Sequence, residues 1–405
     1  MADHADKSTA LWVLKRLRKA DHQALFAGGC VRDMLLGVRS ADYDIATDAT
    51  PQQVAKLFRR VLLVGAKFGV AMVIRNRRRV EVATFRSDAS YSDGRRPDHV
   101  TFSTPREDAM RRDFTINGMF YDPLSDEVID YVGGRADLRR NVLRTIGSPS
   151  DRFAEDYLRM LRAVRFAVRL DFHVDEATVA GIKSHAGQIV AISGERIYDE
   201  LSRMLAGPDA AKALRMLDEL QLARQVLGEL YEKPTLWPDA VRRVERVQGR
   251  KDLVLALAAL LSDLPGGSIR KIVRRWGASN ELRDALVWMA GHRDGWGNAE
   301  RIALCQFKRL MSNASFDRLR QLWRVREQLQ TGQTTQARRI ARRAGAIAPQ
   351  SVSPPPLING QDLKKLGCRE GRPMGQLLRA IYDAQLDERI HTAAEARALA
   401  RKLLG

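Results

Sequence analysis

The chain has 405 residues, 45% of them hydrophobic, so it can bury more than one sizeable core and is not a disordered polymer. Its 68 Lys+Arg against 49 Asp+Glu leave a net charge of +19, which points to a polyanionic partner, nucleic acid first. Three scattered cysteines without a CxxC exclude a disulfide framework and a cysteine zinc site and fit a reducing cytosol, and no apolar run approaches the ~20 residues of a membrane span.

Residues 8–24 place Leu11, Leu14 and Leu17 on one face and Lys15, Arg16, Arg18 and Lys19 on the other, which predicts an amphipathic helix capped by Ser8. The N-terminal Met1–Asp6 has no apolar core and does not read as a signal peptide. Leu25-Phe26-Ala27 predicts a short strand running into Gly28-Gly29. A short helix follows from Asp33 and stops at Gly37. Asp42 to Ile45 reads as a second strand. Thr50-Pro51 opens another helix, with Thr50 as cap and Pro51 in the first turn. Val61–Val64, Val70–Ile74 and the alternating Arg79–Phe85 predict three more strands, and 87–99 a polar loop. Residues 108–121 read as a helix-like block. From residue 151 strand signals vanish, and helical periodicity runs to the C-terminus, broken by Gly/Pro clusters near 207–208, 265–267 and 353–356. Leu253–Leu261 predicts a buried helix, and 331–356 holds the most linker-like stretch. The organisation is an α/β head followed by a long all-helical remainder.

The chemistry concentrates in three places. On a strand Asp42 and Asp44 point to one face, and two carboxylates so close repel unless a cation lies between them. Oxygen ligands of this kind suit Mg²⁺ beside a triphosphate, and Glu81 on another strand offers a third carboxylate for a two-metal arrangement. A solvated Asp-x-Asp turn is the competing reading. Gly28 and Gly29 let backbone approach phosphate oxygens, and Arg32 offers a fork for phosphate, with Asp33 orienting it or capping the helix. In the block Arg111-Arg112-Asp113-Phe114-Thr115-Ile116-Asn117, an arginine suits triphosphate and Asp113 or Asn117 suits ribose hydroxyls; a surface charge cluster is the alternative. Farther on, Arg159, Arg162, Arg165 and Arg169 form one helical stripe. Asp156 and Arg159, at i and i+3, set an acceptor beside a donor, which favours cytosine and adenine over uracil and guanine without a template. An ordinary helix salt bridge is the plain alternative there.

These motifs occur in a fixed order: Gly28-Gly29…Arg32-Asp33…Asp42-Tyr43-Asp44, then Arg111–Asn117, Gly133-Gly134…Asp137-Leu138, Glu155-Asp156-Tyr157-Leu158-Arg159 and Gly194-Glu195-Arg196-Ile197. The series resembles the class II tRNA nucleotidyltransferases and bacterial poly(A) polymerases, densely from 24 to about 205 and again at Pro355–Gly375. The resemblance implies a polymerase-β-like α/β nucleotidyltransferase head over 1–145, then an all-α neck over 146–206, body over 207–330 and tail over 331–405. It implies a cytoplasmic enzyme that adds CMP and AMP from CTP and ATP to tRNA 3′ ends with Mg²⁺. Carried over, Asp42, Asp44 and Glu81 are catalytic, with Asp42 and Asp44 on the metal. Gly28, Gly29, Arg32, Arg111, Asp113, Asn117, Asp156, Arg159 and Arg162 bind nucleotide. The Arg86…Pro97 segment resembles the loop the family uses between C and A addition, and Gly65-Ala66-Lys67-Phe68-Gly69 looks more like the CCA-adding branch than the poly(A) branch. An A-adding or poly(A) enzyme, or an inactive RNA-binding relative, are the other outcomes.

Overall fold

The computed structural model describes residues 3–4, 7–40, 42–65, 68–88 and 100–404. Residues 89–99, most of the expected loop, and 66–67 of the Gly65–Gly69 segment lie outside them. By packing, the chain forms two units, Met1–Gly228 and Glu229–Gly405.

The first unit begins with strand β1 (Asp3–His4) and helix α1 (Lys7–Arg18), which buries Val13, Leu14 and Leu17. Ser8 lies inside this helix and is not its cap. A mixed sheet follows from β2 (Ala24–Ala27), β3 (Asp44–Thr47), β4 (Val61–Gly65), β5 (Val70–Arg75) and β6 (Arg78–Thr84). Strands β7 (Arg86–Asp88) and β8 (Val100–Phe102) pair with each other, and β9 (Phe120–Asp122) and β10 (Glu127–Ile129) rejoin the main sheet. Its order is β10-β9-β2-β3-β6-β5-β4, with β1 beside β6. All the pairs along this path are antiparallel except β3 with β6, and β1 also runs parallel to β6. Helix α2 (Gly29–Leu35) starts four residues earlier than the spacing predicted, directly at the Gly-Gly turn. Helix α3 (Pro51–Leu57) has the expected Thr50 cap, completed by Gln53 as a capping box.

The block 108–121 is not one helix. A second capping box, Thr104 with Glu107, starts α4 at Pro105 and it ends at Met110. The chain then turns through a 3₁₀ segment, Thr115–Asn117, before β9. Helix α5 (Gly134–Arg139) packs on that turn so closely that a Cβ on Gly134 would lie 2.3 Å from the Thr115 carbonyl oxygen. Because the obstacle is backbone, Gly134→Ala is expected to cost roughly 3 kcal/mol, the upper end for overpacking, read as a drop in the denaturant midpoint. An unchanged midpoint would show that the turn yields freely.

Strand signals do not end at 151: β11 (Val142–Leu143) pairs in parallel with β12 (His173–Val174). Two residues per strand are too short to show a period. The helices around them are α6 (Pro149–Glu155), α7 (Leu158–Leu170), α8 (Glu176–His185), α9 (Gly194–Leu205) and α10 (Ala210–Glu219). The second unit is helical throughout its described residues. Leu253–Leu261 is the buried helix the sequence implied. The stretch expected as a linker is mostly ordered: Thr335–Gly345 is a helix whose Gln336 and Ala337 amides donate to the buried Glu327 carboxylate, each at 2.7 Å. A cap supplied from another helix leaves no local sequence signature, which is why composition misread it. No helix among the described residues is long and apolar enough to cross a membrane.

Candidate active site

A groove of about 550 Å³ opens in the first unit between the edge of the head sheet and helix α7. Gly28, at φ 73°, makes the turn from β2 into α2. A Cβ there would meet Arg112 Nη1 at 2.9 Å, so only glycine fits without displacing that arginine. Asp42 and Asp44 line the same groove. Only Asp44 belongs to β3; Asp42 precedes it, its carbonyl accepting from Ser40 Oγ at 2.7 Å.

Glu81 does not line this groove, but register brings it near. Ile45 pairs with Val82 in the parallel β3–β6 ladder, so one step back sets Asp44 beside Glu81 on the same face. Its side chain still touches solvent, yet burial of its surroundings raises its pKa; Arg86 opposes the rise and the Asp42 charge adds to it. The three carboxylates do not close into one cluster: among the described residues no group of three or more His, Cys, Asp or Glu side chains converges as a metal set. The Asp42/Asp44 pair offers hard oxygen donors of the kind Mg²⁺ takes. Cys30 lines the groove too, but burial pushes its thiol up to about 12, so it provides neither a nucleophile nor a thiolate ligand.

The arginines are organised by carboxylates, two of which, Asp108 and Glu200, the sequence reading left without a role. Asp108, 1% exposed, accepts a fork from Arg111 (2.9 and 2.6 Å) and another from Arg112 (3.1 and 2.9 Å). Burial alone would raise its pKa, but Arg112 and Arg111 outweigh that and hold it low. Arg32 is turned inward rather than toward solvent. It is 2% exposed, donates from Nε and Nη2 to Asp33 Oδ1, and from Nη1 to Asn117 Oδ1 at 2.7 Å. Asp33 does orient Arg32, as the sequence suggested, and Arg32 in turn fixes Asn117.

From Asn117 the network crosses to α7. Asn117 Nδ2 donates to Asp113 Oδ1 at 3.1 Å, and Arg162 Nε and Nη2 donate to Asp113 Oδ2 at 2.9 and 2.6 Å. Glu200 on α9 then accepts from Arg165 Nε at 2.5 Å and lies 3.8 Å from Arg162. Phe166 sits in the middle, with the Arg32, Arg162 and Arg165 guanidiniums 5.3, 5.3 and 4.2 Å from its ring centre. The structure thus joins Arg32, Asp113, Asn117 and Arg162, which are separated by up to 130 positions in the chain (162 − 32). Phe166, Asp108, Arg196 and Glu200 had been given no role at the site, although Arg196 belongs to a motif of the family series. The signal for Phe166 was available: an aromatic embedded in an arginine stripe, four residues after Arg162.

Asp113 is buried, which would raise its pKa, yet Arg162 and Asn117 reverse this and bring it down to about 2. A depressed folded-state pKa contributes stability above the usual 3.8 and loses it as pH falls through about 2. Thermal melts should therefore drop between about pH 4 and pH 2 by at most roughly 2 kcal/mol from this group, and Asp113→Asn should flatten that dependence.

The base-reading pair needs one correction. Asp156 and Arg159 do not share a helix, since the backbone breaks at Asp156, which is extended (φ −153°, ψ 102°) between α6 and α7. Its Oδ1 accepts from the Leu158 amide at 3.0 Å and its Oδ2 from Arg196 Nη2 at 2.7 Å. Arg159 turns to Glu155 (2.6 Å) and to the Arg152 carbonyl (2.7 Å). The reason is competition: Asp156 gains more by accepting from the Leu158 amide and meeting Arg196 than by an i,i+3 pair worth a few tenths of a kcal/mol. Both residues still line the groove.

A mixed sheet that presents paired carboxylates at a glycine turn, facing an arginine-lined helix, defines a nucleotidyltransferase. Comparison with known proteins agrees. Residues 24–144 match the poly A polymerase head domain, and 171–233 match a probable RNA and SrmB-binding site of polymerase A. The CCA-adding enzyme of Geobacillus kaustophilus is 33% identical over 383 residues, 93% of this chain and 90% of its own. That of Geobacillus stearothermophilus is 38% identical over 283 residues, 68% and 67% of the two chains. Among solved structures, the Bacillus stearothermophilus CCA-adding enzyme in complex with CTP superposes with a TM-score of 0.80 at 28% identity, covering 98% of this chain and 97% of the other. The chain belongs to the family of the CCA-adding enzymes, and its head and helical remainder are those of that family.

Proposed function

We propose that this protein adds CMP and AMP, from CTP and ATP, to the 3′ end of tRNA without a template. One observation carries the reading: Asp42 and Asp44 share a single groove with Asp156, Arg159 and Arg162, so transfer chemistry and base choice face one nucleotide. The relatives named CCA-adding enzymes support the same reaction, and the CTP held by the solved relative supports the nucleotide class. A tRNA substrate would place the protein in the cytoplasm.

The RNA 3′-hydroxyl attacks the α-phosphorus, the bond to the β-phosphate oxygen breaks, and pyrophosphate leaves. Asp42 and Asp44 would hold Mg²⁺, and Glu81, outside that pair, would have to move in to share a second ion. A cation held by these carboxylates would supply a lowered pKa for the attacking hydroxyl and charge neutralisation for the leaving group. Arg111 and Arg112, their Nε/Nη2 forks held by Asp108, would turn their remaining Nη hydrogens and their charge to the triphosphate. Asn117 and Asp113, locked by Arg32 and Arg162, are placed for the ribose hydroxyls. Asp156 accepts and Arg159 donates at the base edge, a pattern that cytosine and adenine satisfy and uracil and guanine do not.

Radiolabelled CTP and ATP supplied with tRNA ending before CC, after C and after CC should yield products that stop at CCA, with UTP and GTP unused. Long A tails on arbitrary RNA without C incorporation would replace this reading with a poly(A) polymerase, and A addition only after CC with an A-adding enzyme. No metal-dependent pyrophosphate release would leave an RNA-binding relative.

A further inference from the structure

A second cavity, of about 500 Å³, adjoins the catalytic groove within the same unit, between α7, α9 and α10. Arg165, Arg169 and Arg203 line both spaces, so one wall is shared. The rest of the lining differs from the groove. Val168, Met204, Pro208 and Ala213 make it largely apolar, and Asp209 is its one carboxylate. The reaction leaves this space unused, since the nucleotide is accounted for by the groove.

We propose that this cavity receives an unstacked base near the 3′ end of the acceptor RNA, holding it without reading it. The inference rests on the transfer reading above. Its chemistry comes from the two kinds of wall. The Arg169 and Arg203 side chains are 55% and 57% exposed, with ion pairs to Asp33 at 3.8 Å and Asp199 at 3.0 Å. The Arg203 pair is exposed on both sides and the Arg169 pair, to a buried Asp33, is long, so both are weak and exchange readily for backbone phosphates. An apolar pocket beside them suits a base face, as in single-strand sites that pair cationic rims with non-polar platforms. Arg165 contributes shape more than donors, because Glu200 and the Phe166 ring already hold it.

The lack of reading groups has a functional reason. An enzyme that adds nucleotides in succession meets an acceptor whose last base changes at every step. A pocket that hydrogen-bonded one base would reject the next by orders of magnitude. Apolar walls with an unbranched Met204 accept different bases at similar cost. Selection then stays with the incoming nucleotide at Asp156 and Arg159.

Ala213→Trp intrudes on the cavity from α10, at a position that does not line the catalytic groove. The expected result is an acceptor KM raised roughly tenfold, the lower range of a lost base contact, with the KM for CTP unchanged. Because Ala213 is buried, a second measurement uses the unaltered chain: a tRNA ending before CC with 4-thiouridine as its last residue, irradiated on the enzyme. Crosslinks should fall in the peptide 203–213. A folded Ala213→Trp with normal acceptor KM, or crosslinks confined to other segments, overturns the inference. A wild-type chain that transfers no nucleotide to tRNA would instead defeat the transfer reading.

Discussion

Asp44→Ala should abolish nucleotide incorporation while leaving the fold intact. Asp44 and Asp42 carry like charges into one groove, so removing either relieves repulsion in the free protein. The same carboxylate is needed when the substrate arrives, because it would anchor the cation at the reacting phosphate. Losing a charge-stabilising group of this kind costs roughly 10³-fold in rate. The measurement is incorporation of labelled CTP into tRNA lacking its 3′ end, beside a thermal melt. Activity within tenfold of wild type would remove Asp44 from the metal site. Lower activity with a collapsed melt would mean that Asp44 serves the sheet, where it pairs with Ala27.

The second large effect falls on selectivity. Asp156→Asn keeps size and can still accept from the Leu158 amide, but it can turn its own amide to donate as well as accept. It also loses the charge that meets Arg196. Discrimination of CTP and ATP over UTP and GTP should fall by roughly 100-fold, part of the range that a site built on hydrogen bonds achieves. The ratio of kcat/KM values for the four nucleotides reads this directly. Full discrimination in the variant would move base reading to other residues of the groove. Arg159→Lys tests the other half of the pair, since lysine loses the planar fork while keeping the charge.

Buried carboxylates recur as organisers rather than reagents. Asp108 aims two arginines, Asp113 holds Arg162, and Glu200 holds Arg165. Each is paired with at least one guanidinium; Asp108 and Glu200 are almost closed to water, and the Asp113 side chain is 10% exposed. Such pairs add little net stability against apolar replacements, but removing one partner leaves a charge unmatched. Their value here is geometric: they fix where the remaining N–H groups point.

Sequence order alone determined a good deal. The Gly-Gly turn, Asp42 and Asp44, strands β2 to β6 and the arginine stripe were legible, because each rests on local rules of period, capping or charge spacing, whereas the two- and three-residue strands β1 and β7 to β10 were too short to show a period. The Thr50-Pro51 helix start is the clearest instance. Three things were settled only by tertiary structure. The Asp156–Arg159 neighbours parted because Arg196, forty residues on, and Glu155 compete for them. The stretch 335–345 became a helix because Glu327 caps it from a separate helix. Arg32, read as a phosphate fork, proved also to support Asn117, 85 positions away. In each case a charged side chain had several partners of similar local merit, and burial decided among them. Local patterns list the charges a chain offers; only the packed structure assigns each to its partner, because an unmatched charge is costly where water is excluded.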